Sequence, residues 1–171
     1  PVHGQEVGRI RRLAGIRQCL EEHGLPEDHL EILSTSRREF AKYPGDRAEY
    51  QNGYDRTIEA LQNGTVSTAF IGNNDMTALG IMDAIAELGY KIPYDYSVCG
   101  FDNIPLASMK QISLTTIEHA TVQKGHEAVD LIHKKHSQDH SGRQPSYTVR
   151  LEYEPQLIVR NSTGKCRKNL R

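Results

Sequence analysis

Residues 70–103 read FIGNNDMTALGIMDAIAELGYKIPYDYSVCGFDN. One apolar run ends at Asn73, Asn74 and Asp75, a helix-like pattern follows, and a second apolar run ends at Phe101, Asp102 and Asn103. The segment VSTAFIG (66–72) is short and apolar, as a strand buried on both faces of a parallel sheet must be. In NDMTALGIMDAIAELG (74–89), Met76, Leu79, Met82, Ile85 and Ala86 share one helical stripe, an Asn-Asp pair opens the helix and Gly89 closes it. YSVCGF (96–101) supplies the next strand. Helices alternating with short apolar strands specify an α/β fold with a parallel sheet. Right-handed crossovers then gather the C-terminal ends of its strands along one edge.

The same logic extends outward. In RIRRLAGIRQCLEEHGL (9–25), Ile10, Leu13, Ile16 and Leu20 recur at helical spacing and Gly24 with Pro26 stops the helix. Leu30 to Leu33 reads as a short strand, followed by a polar, turn-rich loop around Pro44-Gly45. A second helix runs through YDRTIEALQNG (54–64), capped by Asp46 or Asn52 and ended by Asn63-Gly64. Downstream, Leu114 to Ile117 is expected to be a strand and TVQKGHEAVDLIHKKH (121–136) a helix. After the polar stretch SQDHSGRQPS (137–146), YTVRLEYEPQLIVR (147–160) alternates as an edge or antiparallel strand does. NSTGKCRKNLR (161–171) reads as a basic, frayed tail.

Composition narrows the function classes. The chain has 171 residues, enough for one domain or two small lobes, and its 21 basic and 22 acidic side chains leave a formal charge of -1. That balance opposes a surface devoted as a whole to nucleic acid. Three widely spaced cysteines, Cys19, Cys99 and Cys166, suit reduced thiols of a cytoplasmic protein, with Cys99 as a small core residue. No apolar run approaches the roughly 20 residues that cross a bilayer.

In an open α/β sheet, ligands collect outside the carboxyl ends of the strands, which singles out Asn73, Asn74, Asp75 and Asp102. An amide both donates and accepts, a carboxylate accepts on two oxygens and an arginine donates in a planar fork. Together these groups match vicinal hydroxyls. The competing roles are capping of the following helix for Asn73 to Asp75 and a turn at Asp102. Arg9, Arg11 and Arg12 fall near the start of the first helix, where positive charge is disfavoured unless a ligand or carboxylate compensates it. His133, His136 and His140, interleaved with lysines, read as a wet helix face and not as a metal site. Nucleophile-elbow, phosphate-loop, dinucleotide and zinc-protease signatures are missing, which counts against an enzyme without abolishing that alternative, and no cofactor is expected.

FIGNNDMTALGIMDAIAELGYKIPYDYSVCGFDNIPLA, then SLTTI (113–117) and EPQLIVRNSTG (154–164), resembles the effector-sensing core of the lactose-repressor (LacI/GalR) family of bacterial transcription regulators, and RIRRLAGIRQCLEEHGL fits the same family. The polar insert near residues 34–50 departs from the short connection usual there. The resemblance implies a two-lobed fold like that of type I periplasmic sugar-binding proteins. Residues 1–114 and 155–163 would belong mainly to the C-terminal lobe and the helix within 118–140 to the N-terminal lobe. The helix-turn-helix DNA-binding head would lie outside this chain. By resemblance, Arg12, Asn74 and Asp102 contact effector, Ile71 is a wall position, and Asn73 and Asp75 act as caps at the site. The implied function is sensing of a sugar or related metabolite, without covalent chemistry, by a cytoplasmic homodimer that binds operator DNA and not a membrane. The alternative is an exported sugar-binding protein for transport or chemoreception.

Overall fold

A computed structural model describes residues 4–36, 42–139 and 148–166. The helices are α1 (Gly4–Glu22), α2 (Asp46–Gln62), α3 (Asp75–Glu87) and α4 (Thr121–Asp139), and the strands β1 (Ala69–Ile71), β2 (Ser97–Cys99), β3 (Thr116–Glu118) and β4 (Gln156–Ile158). β1 and β2 pair in parallel with Phe70 opposite Val98, as the right-handed β-α-β reading requires. β3 and β4 pair antiparallel, and a parallel bridge from Cys99 to Thr115 joins the two ladders.

The core lies where α3 covers this sheet. Leu61, Phe70, Ala78, Ile81, Ile85, Tyr96, Val98, Ala107 and Leu114 form one buried cluster. Ile85, Val98 and Leu114 are fully enclosed, and each such side chain contributes roughly 1.5–3 kcal/mol by leaving water. α2 crosses α3 at very close range: a methyl group added to Gly80 would overlap the Tyr50 carbonyl, and one added to Gly53 would overlap that of Thr77. Two tyrosines brace the crossing, Tyr50 donating to Asp83 and Tyr54 to Glu87, each at 2.5 Å.

Several expectations change against the structure. Leu30–Leu33 is extended but joins no described strand, and Ile32 is half exposed. α2 begins at Asp46, so the polar insert is shorter than expected, and the cap position falls on Gly45 and not on Asp46 or Asn52; residues 37–41 of the insert lie outside the described residues. The strand expected at Leu114–Ile117 sits two residues later, because Leu114 turns wholly into the core. Among the described residues of 147–160, only Gln156–Ile158 forms a strand.

The supposed frayed tail is in part a structural element. Ser162 is buried, its hydroxyl donates to the Val98 carbonyl at 2.6 Å and accepts from the Thr115 amide at 2.7 Å, and the Val98 amide donates to the Ser162 carbonyl at 2.8 Å. These bonds clamp the chain along the open side of β2; residues 167–171 lie outside the described residues.

Candidate functional site

Asn74 ends the turn after β1 and caps α3. Its side-chain oxygen accepts from the Thr77 amide and the Thr77 hydroxyl, both at 2.9 Å, and its amide donates to Glu49 of α2. The cap therefore falls on Asn74, one of the three residues that the sequence offered for it, and not on Asn73 or Asp75, which the resemblance implied as caps at the site. An N-cap must hold extended backbone while its side chain reaches the third residue on, and only position 74 does both.

Asp75 instead turns inward. It is fully buried and collects three elements: its carboxylate accepts from the Thr116 hydroxyl at 2.5 Å and the Ile104 amide at 2.8 Å, and its own amide donates to the Phe101 carbonyl at 2.8 Å. Burial pushes its carboxyl above the usual range, against the lowering effect of the two donors. Gly100 makes room for it, since a side chain there would overlap the Asp75 carboxylate.

Asn73 receives Arg12. The guanidinium donates to the Asn73 carbonyl, lies 3.4 Å from its side-chain oxygen, and rests 3.7 Å above the centre of the Phe101 ring, a cation–π arrangement. Arg9 and Arg11 are exposed. The helix-dipole argument for all three does not apply, because α1 already starts at Gly4 and the dipole acts only within the first turn.

The second strand end delivers Asp102. Asp102 and Asn103 both have positive φ, 112° and 51°, a strained pairing that Asp and Asn tolerate better than most residues. The turn is held by the Asp102 amide donating to the Ile117 carbonyl at 2.9 Å, and by Asn103, which donates to Glu118 at 3.0 Å and accepts from Arg160 at 2.7 Å. The Asn103 amide, helped by backbone N–H groups, holds the Glu118 carboxyl below its usual range.

His119, which the sequence reading passed over, completes the cluster. Its Nε2 lies 3.1 Å from Asp102 Oδ1, its ring packs on Phe101 at 5.3 Å between centres, and its Nδ1 lies 3.1 Å from Lys124 Nζ. The available signal was position: His119 follows the next strand end, on the edge that carries Asn73 and Asp102. Arg12, Asn73, Phe101, Asp102 and His119 thus form one polar surface around a single aromatic ring. Ile71, the wall position that the resemblance implies, is 59% exposed, where a strand buried on both faces would enclose it, and the Asn74 carboxamide is engaged by Glu49 and Thr77.

Among the described residues no group of three or more His, Cys, Asp or Glu is placed to hold a metal ion, and no helix is long and apolar enough to cross a membrane. His140 lies outside the described residues. The arrangement offers hydrogen-bonding groups set around a ring that Arg12 and His119 already cover, suited to binding a small polar molecule.

The periplasmic binding protein-like domain family matches residues 2–163. The HTH-type transcriptional regulator DegA of Bacillus subtilis strain 168 is 29% identical over 94% of this chain and 43% of its own length. Among solved structures, a LacI family regulator from Enterococcus faecium with bound ribose aligns with a TM-score of 0.68 and 27% identity over 89% of this chain and 50% of that one. The Lac repressor dimer bound to operator and an anti-inducer aligns at 0.54 and 32% identity over 66% and 37%. This chain spans less than half the length of the curated relatives it matches. It belongs to the periplasmic binding protein-like domain family, in the form that makes up the effector-binding part of LacI/GalR transcription regulators.

Proposed function

We propose that this chain senses a small hydroxylated effector, a sugar or a close relative, for a DNA-binding transcription regulator. The observation that carries the reading is that Arg12, laid over the Phe101 ring, and Asp102, held by His119, meet at the strand ends. A planar donor and a carboxylate acceptor on one edge can meet the vicinal hydroxyls of one sugar ring. Ribose in the Enterococcus faecium relative and operator DNA on the Lac repressor dimer support the ligand class and the output.

The mechanism is linkage. An effector that contacts two lobes more favourably in one closure state shifts the population toward it, and a dimer converts the shift into altered spacing of its DNA-binding heads. α4 is the element we assign to the second lobe: Val122, Val129 and Ile132 leave an apolar face of it open. In this reading the regulator works in the cytoplasm as a homodimer, reaches operator DNA through a helix-turn-helix head outside this chain, and needs no cofactor.

The test is a thermal-shift screen of the full-length parent protein against sugars, sugar phosphates and nucleobases, since a ligand of the native state raises Tm. A shift from one sugar class that Asp102→Ala abolishes supports the reading. An undiminished shift in a folded Asp102→Ala variant overturns the site.

A further inference from the structure

Resting on the sugar-sensing reading above, we propose that Lys124 is a positioning residue for ligand binding at Asp102, acting by holding His119 in its Nε2–H tautomer. Donors and acceptors around the ring decide its tautomer. Lys124 Nζ lies 3.1 Å from His119 Nδ1, and an ammonium group has three donors and no acceptor. Nδ1 must therefore present its lone pair, and the proton of the neutral ring sits on Nε2. That nitrogen is the one 3.1 Å from Asp102 Oδ1. In the opposite tautomer two donors would face each other at Nδ1 and two acceptors at Nε2.

Lys124 is itself held in place. Its ammonium lies 5.4 Å from the centre of the Tyr153 ring, and the Tyr153 hydroxyl donates to Glu127, one helical turn further along α4, at 2.5 Å. Asp102 Oδ1 is thus engaged by His119, and no other described residue hydrogen-bonds the Asp102 side chain. Oδ2 is left for a ligand hydroxyl. Because Asp102 follows β2 while Lys124 belongs to α4, displacement of α4 from the sheet edge would change the hydrogen bonding of the carboxylate that meets the ligand.

The test uses the full-length parent protein with nitrogen-15-labelled histidine. The imidazole shifts of His119 are expected to show a protonated Nε2 and an unprotonated Nδ1, and Lys124→Met, which leaves the Asp102 carboxylate alone to select that form, is expected to admit a measurable share of the other tautomer. Lys124→Arg, also a pure donor, is expected to restore the Nε2–H form. With ribose as probe, Lys124→Met is expected to raise Kd by roughly tenfold, by analogy with the lower end of what removing an outer partner of a metal-bound histidine costs. An Nδ1–H ring in the wild type, or a tautomer unmoved by Lys124→Met, overturns the proposal. A shifted tautomer with unchanged ribose affinity overturns the positioning role while leaving the sensor reading standing. If neither ribose nor any other sugar binds the folded wild type, the ligand half falls together with the sensor reading, a failure recognisable because the wild-type tautomer is measured separately.

Discussion

Asp75 places a carboxylate where water does not reach and supplies it with two donors, Thr116 and Ile104. Burial wins, and the folded-state pKa is raised. As pH climbs from the usual carboxylate value toward that raised value, the unfolded chain ionises first and the native state binds the extra proton, so stability falls through that window. Asp75→Asn removes the titration. The wild type's thermal advantage over Asp75→Asn should therefore narrow as pH rises from about 4 toward neutrality; an advantage that widened would mean that the two donors outweigh burial. Asp75→Ala leaves the Ile104 amide and the Thr116 hydroxyl unanswered and should cost roughly 1–3 kcal/mol for each group left unsatisfied. The neighbouring Cys99 thiol is pushed up by burial, with the Asp75 charge adding to the effect, while Cys19 and Cys166 are exposed. A thiol-reagent time course on the native chain should resolve two fast cysteines and one slow one, since the thiolate is the reactive form; three equal rates would contradict the half-buried setting of Cys99. At this scale the sequence identified the polar positions better than their tasks. Asn73, Asn74 and Asp75 are three adjacent residues of similar chemistry, and the backbone turn alone decides that one receives Arg12, one caps α3 and one is buried. His119 was passed over because its partners, Asp102 and Phe101, are neighbours only after β2 and β3 align.

Among the elements, α3 was readable almost to the residue because its signals are local. Asn74 caps it and Gly89, with φ of 80°, turns the chain away. The expected stripe, however, is not the buried face: of Met76, Leu79, Met82, Ile85 and Ala86 only Ile85 is buried and Ala86 is exposed, whereas Ala78, Ile81 and Ala84 are buried. β4 and the Leu30–Leu33 segment were not, because a strand is defined by its partner, and alternation does not say whether an edge is available to pair with. The crossing of α2 over α3 was equally hidden. Gly53 and Gly80 lie inside helices, where glycine costs roughly 0.5–1 kcal/mol against alanine, and their justification is the backbone of the other helix. Gly80→Ala should consequently destabilise the chain by about 1–3 kcal/mol or more, since its methyl meets a carbonyl and not a flexible side chain. Gly89→Ala has free space around it and suffers only the positive φ. Denaturant midpoints of the two variants give the comparison, and equal losses would mean that α2 can slide to admit the methyl group. Tyr50 borders the same crossing, and its hydrogen bond to Asp83 pushes its phenol up to about 12. The Tyr50–Asp83 bond is largely solvent-exposed, so Tyr50→Phe should change stability by no more than about 1 kcal/mol, and the crossing depends on the glycines.

For the molecule as a whole, the uneven distribution of apolar surface bears on how the chain is used. The α3 side of the parallel pair is closed, whereas Val122, Val129 and Ile132 of α4 are each more than 60% exposed, and Leu157 and Val159 beside β4 more than half. Contiguous apolar patches of this kind mark surfaces that a partner covers, and in the lobe assignment proposed above the rest of the effector-binding core covers α4. The two settings make opposite demands on one residue. In the isolated chain, Ile132→Asp should leave Tm nearly unchanged and reduce self-association, because it replaces exposed apolar surface with charge. In the full-length parent the same substitution would bury an unpaired carboxylate or force the lobes apart, and it should lower Tm by several degrees, as a loss of about 1–3 kcal/mol does in a domain of this size. Melting curves of both forms, with sedimentation of the isolated chain, make the comparison direct. Equal and small effects in both would show that the α4 face stays in water in the parent protein, and α4 could then not be the element that carries lobe closure to His119 and Asp102.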